Sequence, residues 1–342
     1  MGGNYDSWLI DIESFPADKS WEERIKFLIG FAVLAPSSHN SQPWVFKIRE
    51  NELFINFEAS RDLPGSDPGG RQAWTSIGCA MENLCISSSF YGLSYKIEYF
   101  FVGTEEPFVK VIFELAKNNA VRPSRTLMQA MLNRRTNRGA YGRKIPLDFI
   151  SDAAGFNSPA CRIDFVSDPA GIEKIGEIVI SSTIDAFRNP LFGQELSGYV
   201  KSNWTRAGAG IPGFALGIPA PISLLASFMV RRFNMGELGA KQDRQLYREG
   251  TPVWGMVSCS GDHRKDWVCA GMLYEKLALL ATKKGLASAM QAAPVQVGEY
   301  WKSLQEVFRT SFRPLALFRL GYPSREARPT PRFSADQVLI SR

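Results

Sequence analysis

The strongest constraint on this chain is a segment that it carries twice. "WTSIGCAMENLCISSSFYGL" from Trp74 and "WVCAGMLYEKLALLATKKGL" from Trp267 align at a constant offset of 193 positions. Trp74/Trp267, Gly78/Gly271, Glu82/Glu275, Leu84/Leu277, Gly92/Gly285 and Leu93/Leu286 coincide, six of twenty. Unrelated sequences would share about one at ordinary residue frequencies. Two unrelated amphipathic helices would match in period but not in a Trp, a Glu and two Gly at fixed positions. Both copies have apolar residues at helical spacing and end at a Gly, the residue of a helix C-cap. The chain therefore reads as a duplicated half, and each half has to fold around an equivalent helix.

The surroundings of the two copies agree with this. In the first half, "SYKIEYFF" and "FVKVIFEL" alternate as strands around the turn "VGTEEP". In the second, "PVWGMVSCS" precedes the repeated helix as a strand, and "RPLALFRLGY" forms another near the C-terminus. The expectation is an α+β chain of two pseudo-symmetric halves, residues 1–120 and 121–342. Residues 187–252, which have no equivalent in the first half, would be a lid insertion.

The halves differ in what else they hold. In the first, Ser20 and Glu23 form a capping box for a helix whose apolar stripe runs through Phe27, Leu28, Phe31, Leu34 and Ala35. It stops at Pro36, and "PSSHNSQPW" follows: uncharged hydroxyls and carboxamides between two hydrophobic elements. A plain connection is usually a few residues long with a Gly or a charge. This one has the chemistry wanted by a polyol, a ring imide or a phosphate. The second half has instead a basic cluster, "RRTNRGAYGRK" at 134–144, which suits a phosphate-bearing ligand. Neither motif has a counterpart in the other half. One composite site between the halves accounts for this complementary loss.

Other features exclude alternatives. A net charge of +6 with scattered basic residues, and no alternation of basic and aromatic side chains, argues against nucleic acid. Five cysteines, an odd number with no CxxC, predict free thiols in a reducing compartment, hence the cytoplasm. The N-terminus has no signal-peptide pattern. Residues 211–230, "IPGFALGIPAPISLLASFMV", are uncharged and long enough to span a bilayer, but three prolines and two glycines would break the helix. A flap over an apolar site is the expected alternative. "GAGIPG" at 208–213 satisfies G-x-G-x-x-G but lacks a preceding strand, so it is no dinucleotide fingerprint. His39 and His263 cannot make a metal cluster alone, and there is no G-x-S-x-G elbow.

With "PSSHNSQPW", "RRTNR", "GDHRKDWVCAGMLYEKLALLATKKGL" and "FRLGYP" in view, the chain resembles the flavin-dependent nitroreductase superfamily, and within it the single-chain tandem (Acg-like) branch. In that superfamily the FMN sites lie at a homodimer interface, which two fused halves would mimic. The resemblance implies FMN as cofactor. Pro36, Ser37, Ser38 and Asn40 would line the flavin from the first half. Arg134, Thr136 and Arg138 would hold its phosphate and ribityl chain from the second. Of the C-terminal pair Arg328 and Arg332, the latter would also approach the phosphate. Met290 to Ala293 would face the flavin ring.

The resemblance further implies ping-pong transfer of hydride from NAD(P)H through FMN to a nitroaromatic or quinone-like acceptor. The cofactor does this chemistry, so no protein residue is expected as a catalytic nucleophile. The alternative is an FMN-storing or sensing protein whose occluded flavin turns over little. The partners expected are NAD(P)H and a small acceptor, in a monomeric pseudo-dimer or a higher homo-oligomer.

Overall fold

The structure is a computed structural model that describes residues 3–100, 108–117, 121–142 and 145–340. The first half opens with α1 (Trp21–Ala32), capped by Ser20 and Glu23 as the sequence predicts. It continues with β1 (Trp44–Arg49), β2 (Glu52–Phe57), α2 (Arg71–Phe90), β3 (Leu93–Tyr99) and β4 (Val109–Leu115). These strands form an antiparallel sheet in the order β1-β2-β4-β3. The predicted turn "VGTEEP" lies outside the described residues.

The second half starts with α3 (Arg125–Asn133), the short strand β5 (Tyr141–Gly142), α4 (Leu147–Ala154) and β6 (Cys161–Val166). A long excursion follows: α5 (Pro169–Arg188), α6 (Pro190–Tyr199), β7 (Val200–Lys201), β8 (Ile211–Pro212), α7 (Ala220–Ser223), α8 (Ala226–Arg232) and α9 (Met235–Glu249). The half is completed by β9 (Val253–Cys259), α10 (Arg264–Lys283), β10 (Ala287–Gln291), α11 (Ala293–Gln296), α12 (Tyr300–Phe308), β11 (Arg313–Pro323) and α13 (Ala335–Val338). Its sheet has the order β6-β9-β11-β10, again antiparallel. Strand for strand, this repeats the first sheet. Where a two-residue turn joins β1 to β2, the excursion α5–α9 joins β6 to β9.

The helices α2 and α10 begin and end 193 residues apart, and they cross at the matched glycines. A Cβ on Gly78 would lie 2.1 Å from the carbonyl oxygen of Val268, and one on Gly271 would lie 1.9 Å from that of Thr75. No side chain fits between backbones this close. The contact is reciprocal. The Arg71 guanidinium stands 5.9 Å from the Trp267 ring, and that of Arg264 stands 5.3 Å from Trp74, both within cation–π range. Gly92 and Gly285 follow the two C-caps with the same φ of 76°, the left-handed conformation that a Schellman-type ending asks of glycine. A single apolar cluster runs through both halves across this crossing. The C-terminal segment returns to the first sheet, where Ile340 N donates to the Phe46 carbonyl.

The matched Glu82 and Glu275 are both buried beside the crossing. Burial pushes the Glu82 carboxyl up to about 7, with Lys276 opposing. Burial likewise raises Glu275, opposed by the cation of Arg134, 3.2 Å from its carboxylate.

One expectation is overturned. Cys161 and Cys259 face each other in the register of β6 and β9 and form a disulfide, while Cys79, Cys85 and Cys269 are free. The two halves of the bridge are 98 residues apart, on either side of the excursion. No local spacing could announce it, because strand pairing alone brings them together.

Two tests follow from the crossing. Gly271→Ala should lower stability by about 3 kcal/mol through backbone overlap, whereas Gly198→Ala, where a methyl meets nothing within 4 Å, should cost nothing in urea unfolding. Glu82 also makes stability depend on pH. A carboxyl raised from 4.5 to about 7 on folding contributes fully below pH 4.5 and loses that contribution as pH rises through 7. Glu82→Gln should therefore flatten the fall in melting temperature between pH 5 and pH 8, recovering up to roughly 3 kcal/mol at the upper end.

Candidate functional site

The loop after α1 is held in an unusual shape. His39, Asn40 and Gln42 have φ of 51°, 54° and 53°, the left-handed region that side chains other than Gly, Asn and Asp seldom occupy. Such strain persists only where surrounding bonds over-determine it. Here they do. The buried Arg332 guanidinium donates to Asn40 Oδ1 at 2.6 Å and to the carbonyls of Leu34 and Ala35 at 3.3 and 3.2 Å. Asn40 Nδ2 donates to the Gly210 and Pro331 carbonyls, both at 2.9 Å. Gln42 Nε2 donates to Gly208 O at 2.7 Å, and its Oε1 accepts from Phe333 N at 2.9 Å.

The neutral side chains of this loop thus divide their work. Asn40 and Gln42 turn inward and fix the backbone. Pro36, Ser37, Ser38 and His39 are left facing a cavity of about 160 Å³. The same cavity is lined by a polar stripe on α2, Gln72, Thr75, Ser76 and Cys79, whose Ser76 hydroxyl accepts from Ser38 N at 3.4 Å, and by Thr136, Arg138, Tyr274, Met290, Ala292 and Gln296. A second, smaller cavity is contiguous with it, since Pro36, Ser37, Thr136, Arg138 and Ile211 line both. Five arginines line that one: Arg134, Arg135, Arg138, Arg328 and Arg332.

The basic turn is fixed as firmly as the loop. Asn137 N donates to the Ser288 carbonyl at 3.1 Å, and Arg319, itself buried, donates to the carbonyls of Arg138 and Gly139 at 2.8 and 3.1 Å. Arg134 pairs with Glu275 and donates to Leu34 O at 3.0 Å, so it ties the turn to the end of α1. Burial lowers the pKa of Arg135 to about 10 and lowers that of Arg138 as well; burial, then Arg134 and Arg135, holds Arg332 well below the ordinary value. Guanidiniums crowded in a dry cleft gain most from an anion that accepts from several at once. His39, whose Nε2 lies 3.1 Å from Ser66 Oγ, is pushed down to about 4 by burial and then by Arg138. It is neutral near pH 7.

All eight residues that the sequence singled out lie on one or both cavities. Their duties differ. Ser38, Thr136 and Arg138 line open space, and Ser37 lines it too, though its hydroxyl already accepts from Gln42 N at 2.9 Å. Arg134, Arg332 and Asn40 already carry structural bonds, and Asn40 retains only a lone pair on Oδ1. Among the described residues no group of His, Cys, Asp and Glu could hold a metal.

Sequence reading missed Trp8, Tyr274, Gln296, Arg135 and Arg319. It also missed the α2 stripe, whose spacing of i, i+3, i+4 and i+7 was visible. Its equivalents in the second copy are Lys265, Val268, Cys269 and Met272, so the polar stripe occurs once.

The segment 211–230 corrects another expectation. Only its first residues bury themselves at the site: Ile211 lines both cavities and Pro212 and Gly213 are buried. Beyond them most of the large apolar residues turn outward, while Ala226 and Val230 are buried. Leu224, Leu225 and Phe228 are 66%, 61% and 63% exposed. No helix among the described residues is long and apolar enough to cross a membrane.

Comparisons with known proteins agree with the motifs. No family model matches. The chain is 24% identical over 330 residues, 93% of its own length and 91% of the relative's, to a Mycobacterium tuberculosis protein named "Putative NAD(P)H nitroreductase Rv3131". It is 23% identical over 331 residues to another of that organism, "Putative NAD(P)H nitroreductase acg", covering 92% of this chain and 95% of that one. Among solved structures, the FMN and NADPH-dependent nitroreductase NfnB from "sphigopyxis sp. strain HMH" aligns with a TM-score of 0.43 and 17% identity, over 63% of this chain and 98% of that one. The similarity to these two relatives thus extends over more than nine-tenths of the chain.

The loop's inward bonds make a prediction. Asn40→Leu keeps the bulk but removes three bonds and leaves the Arg332 guanidinium short of its best acceptor. The ligand-free protein should lose about 2–3 kcal/mol in urea unfolding. An unchanged midpoint would show that Asn40 serves a ligand rather than the loop.

Proposed function

We propose that the two contiguous cavities hold one FMN per chain and that the protein is an NAD(P)H-dependent oxidoreductase of nitroreductase type. The observation that carries this is the polarity of the cleft. A chamber whose polar lining is neutral except for Arg138, with an apolar edge at Met290 and Ala292, opens into a smaller one lined by five arginines. A ligand suited to both has a flat polar ring at one end and a phosphate at the other. The donors fit FMN: Ser37, Ser38 and Gln72 can bond ring oxygens and nitrogens, Thr136 the ribityl chain, and Arg138, Arg135 and Arg328 the phosphate. Residues 1–120 and 121–342 then each contribute one side of the site, which agrees with each half having kept one of the two motifs.

When bound, FMN supplies hydride acceptance from NAD(P)H and onward delivery of two electrons to a nitroaromatic or quinone-like acceptor. The protein's part is to position and to exclude water. Asn40, Gln42 and Arg332 hold the loop rigid, so that the Ser37 and Ser38 hydroxyls are pre-oriented. Arg319 does the same for the basic turn. Neutral His39, tethered to Ser66 on the chamber wall, can donate or accept a hydrogen bond without adding charge beside the ring. The Ser66 N–H in turn donates to Glu195 of the excursion at 3.1 Å, which ties the lid to this wall.

Arg138→Ala should separate phosphate from ring recognition. Loss of a charge-assisted bond of roughly 1.5–3 kcal/mol should weaken FMN binding by about 10- to 150-fold and leave riboflavin, which lacks the phosphate, little changed. Equal losses for both would place Arg138 in folding instead. Anaerobic mixing of the FMN-loaded protein with NADPH should bleach the flavin absorbance within seconds, and a persistent yellow colour would favour the storage reading.

A further inference from the structure

The excursion between β6 and β9 carries a surface that the oxidoreductase reading does not use. Within residues 204–233, Trp204, Ile222, Leu224, Leu225, Phe228 and Phe233 are 49–66% exposed. They share one region. The loop of Trp204 is stitched to α7 by Asn203, whose N–H donates to Ser223 Oγ and whose Nδ2 donates to Ile218 O. α8 is anchored from beneath, where Ala226 and Val230 pack with Val200, Leu196 and Phe187. Its outer residues are therefore presented on a fixed support. Soluble surfaces seldom gather this many large apolar side chains.

The charges within this stretch of chain are of one sign. From Leu196 to Gly236 the chain has no Asp or Glu, while Lys201, Arg206, Arg231 and Arg232 lie in that span; the three arginines are exposed. A second copy of the chain fits this face poorly. A twofold contact sets a surface against itself, and here that would bring the exposed Arg206, Arg231 and Arg232 of one copy toward those of the other. Leu, Phe and Trp beside Arg is instead the composition of elements that lie in a bilayer interface, with rings and aliphatic chains at headgroup depth and cations on anionic lipid.

We infer that α7, α8 and the Trp204 loop form a peripheral docking surface for an anionic lipid bilayer. The protein lies on the membrane through this face and does not span it.

The test uses the intact protein and vesicles of phosphatidylcholine with about one-third phosphatidylglycerol, compared with phosphatidylcholine alone. Flotation should recover the protein with the anionic vesicles, less at high salt. R231Q/R232Q should weaken binding by about 30-fold, at roughly a tenfold step or less per cation. L225S/F228S should lose binding to the anionic vesicles while keeping the same melting temperature, because neither side chain is buried. The fluorescence blue shift on binding should vanish in W204F. No flotation at low salt would overturn the inference. So would a concentration-dependent dimer, seen by sedimentation, that L225S/F228S abolishes.

Discussion

Everything in this molecule depends on two helices being able to touch. At Gly78 and Gly271 the backbones of α2 and α10 approach so closely that a single methyl group would collide with a carbonyl oxygen. The contact lies within one chain, between residues 193 positions apart. Because both helices belong to one chain, their association costs no translational entropy, and the site between the halves is independent of protein concentration. Around the crossing, the paired Arg–Trp contacts and the two buried glutamates repeat the same geometry from both sides.

From that contact the site follows by asymmetry. α2 turns its polar stripe to the cleft, and the equivalent positions of α10 are largely apolar. The first half keeps the loop of neutral side chains and the second keeps the basic turn. Arg134 links all three, bonded to the α1 carbonyl end, paired with the repeated Glu275 and lining the arginine-ringed cavity. A buried ion pair of this kind is an uncertain source of stability but a strong fixer of register. Here it fixes where the turn stands relative to the loop.

The excursion α5–α9 serves two ends. Its first part reaches the site through Glu195, Gly208, Gly210 and Ile211, whose bonds and contacts close the strained loop from above. Its second part shows apolar side chains to the outside. The two parts are joined through Asn203, whose Oδ1 accepts from Phe214 N at 2.6 Å and whose N–H donates to Ser223 Oγ of α7. Whatever covers the outer face therefore acts on a segment bonded directly to the cleft.

The duplication, the capped helix before Pro36, the two polar motifs and the strands on each side were determined by the sequence alone, since period, capping residues and repeated Gly, Glu and Trp are local signals. The sequence also placed the two polar motifs in different halves, and the fold sets both along contiguous cavities. Tertiary structure decided what no local signal carries. It set Asn40 and Arg332 to holding the loop rather than only facing a ligand, because which way a carboxamide points depends on the acceptors folded around it. It joined Cys161 to Cys259 through a strand pairing that closes over the whole excursion. It turned most of residues 211–230 outward, although their composition suggested burial. Apolar content says that a segment prefers to leave water, but only the positions of its neighbours decide whether they supply the cover.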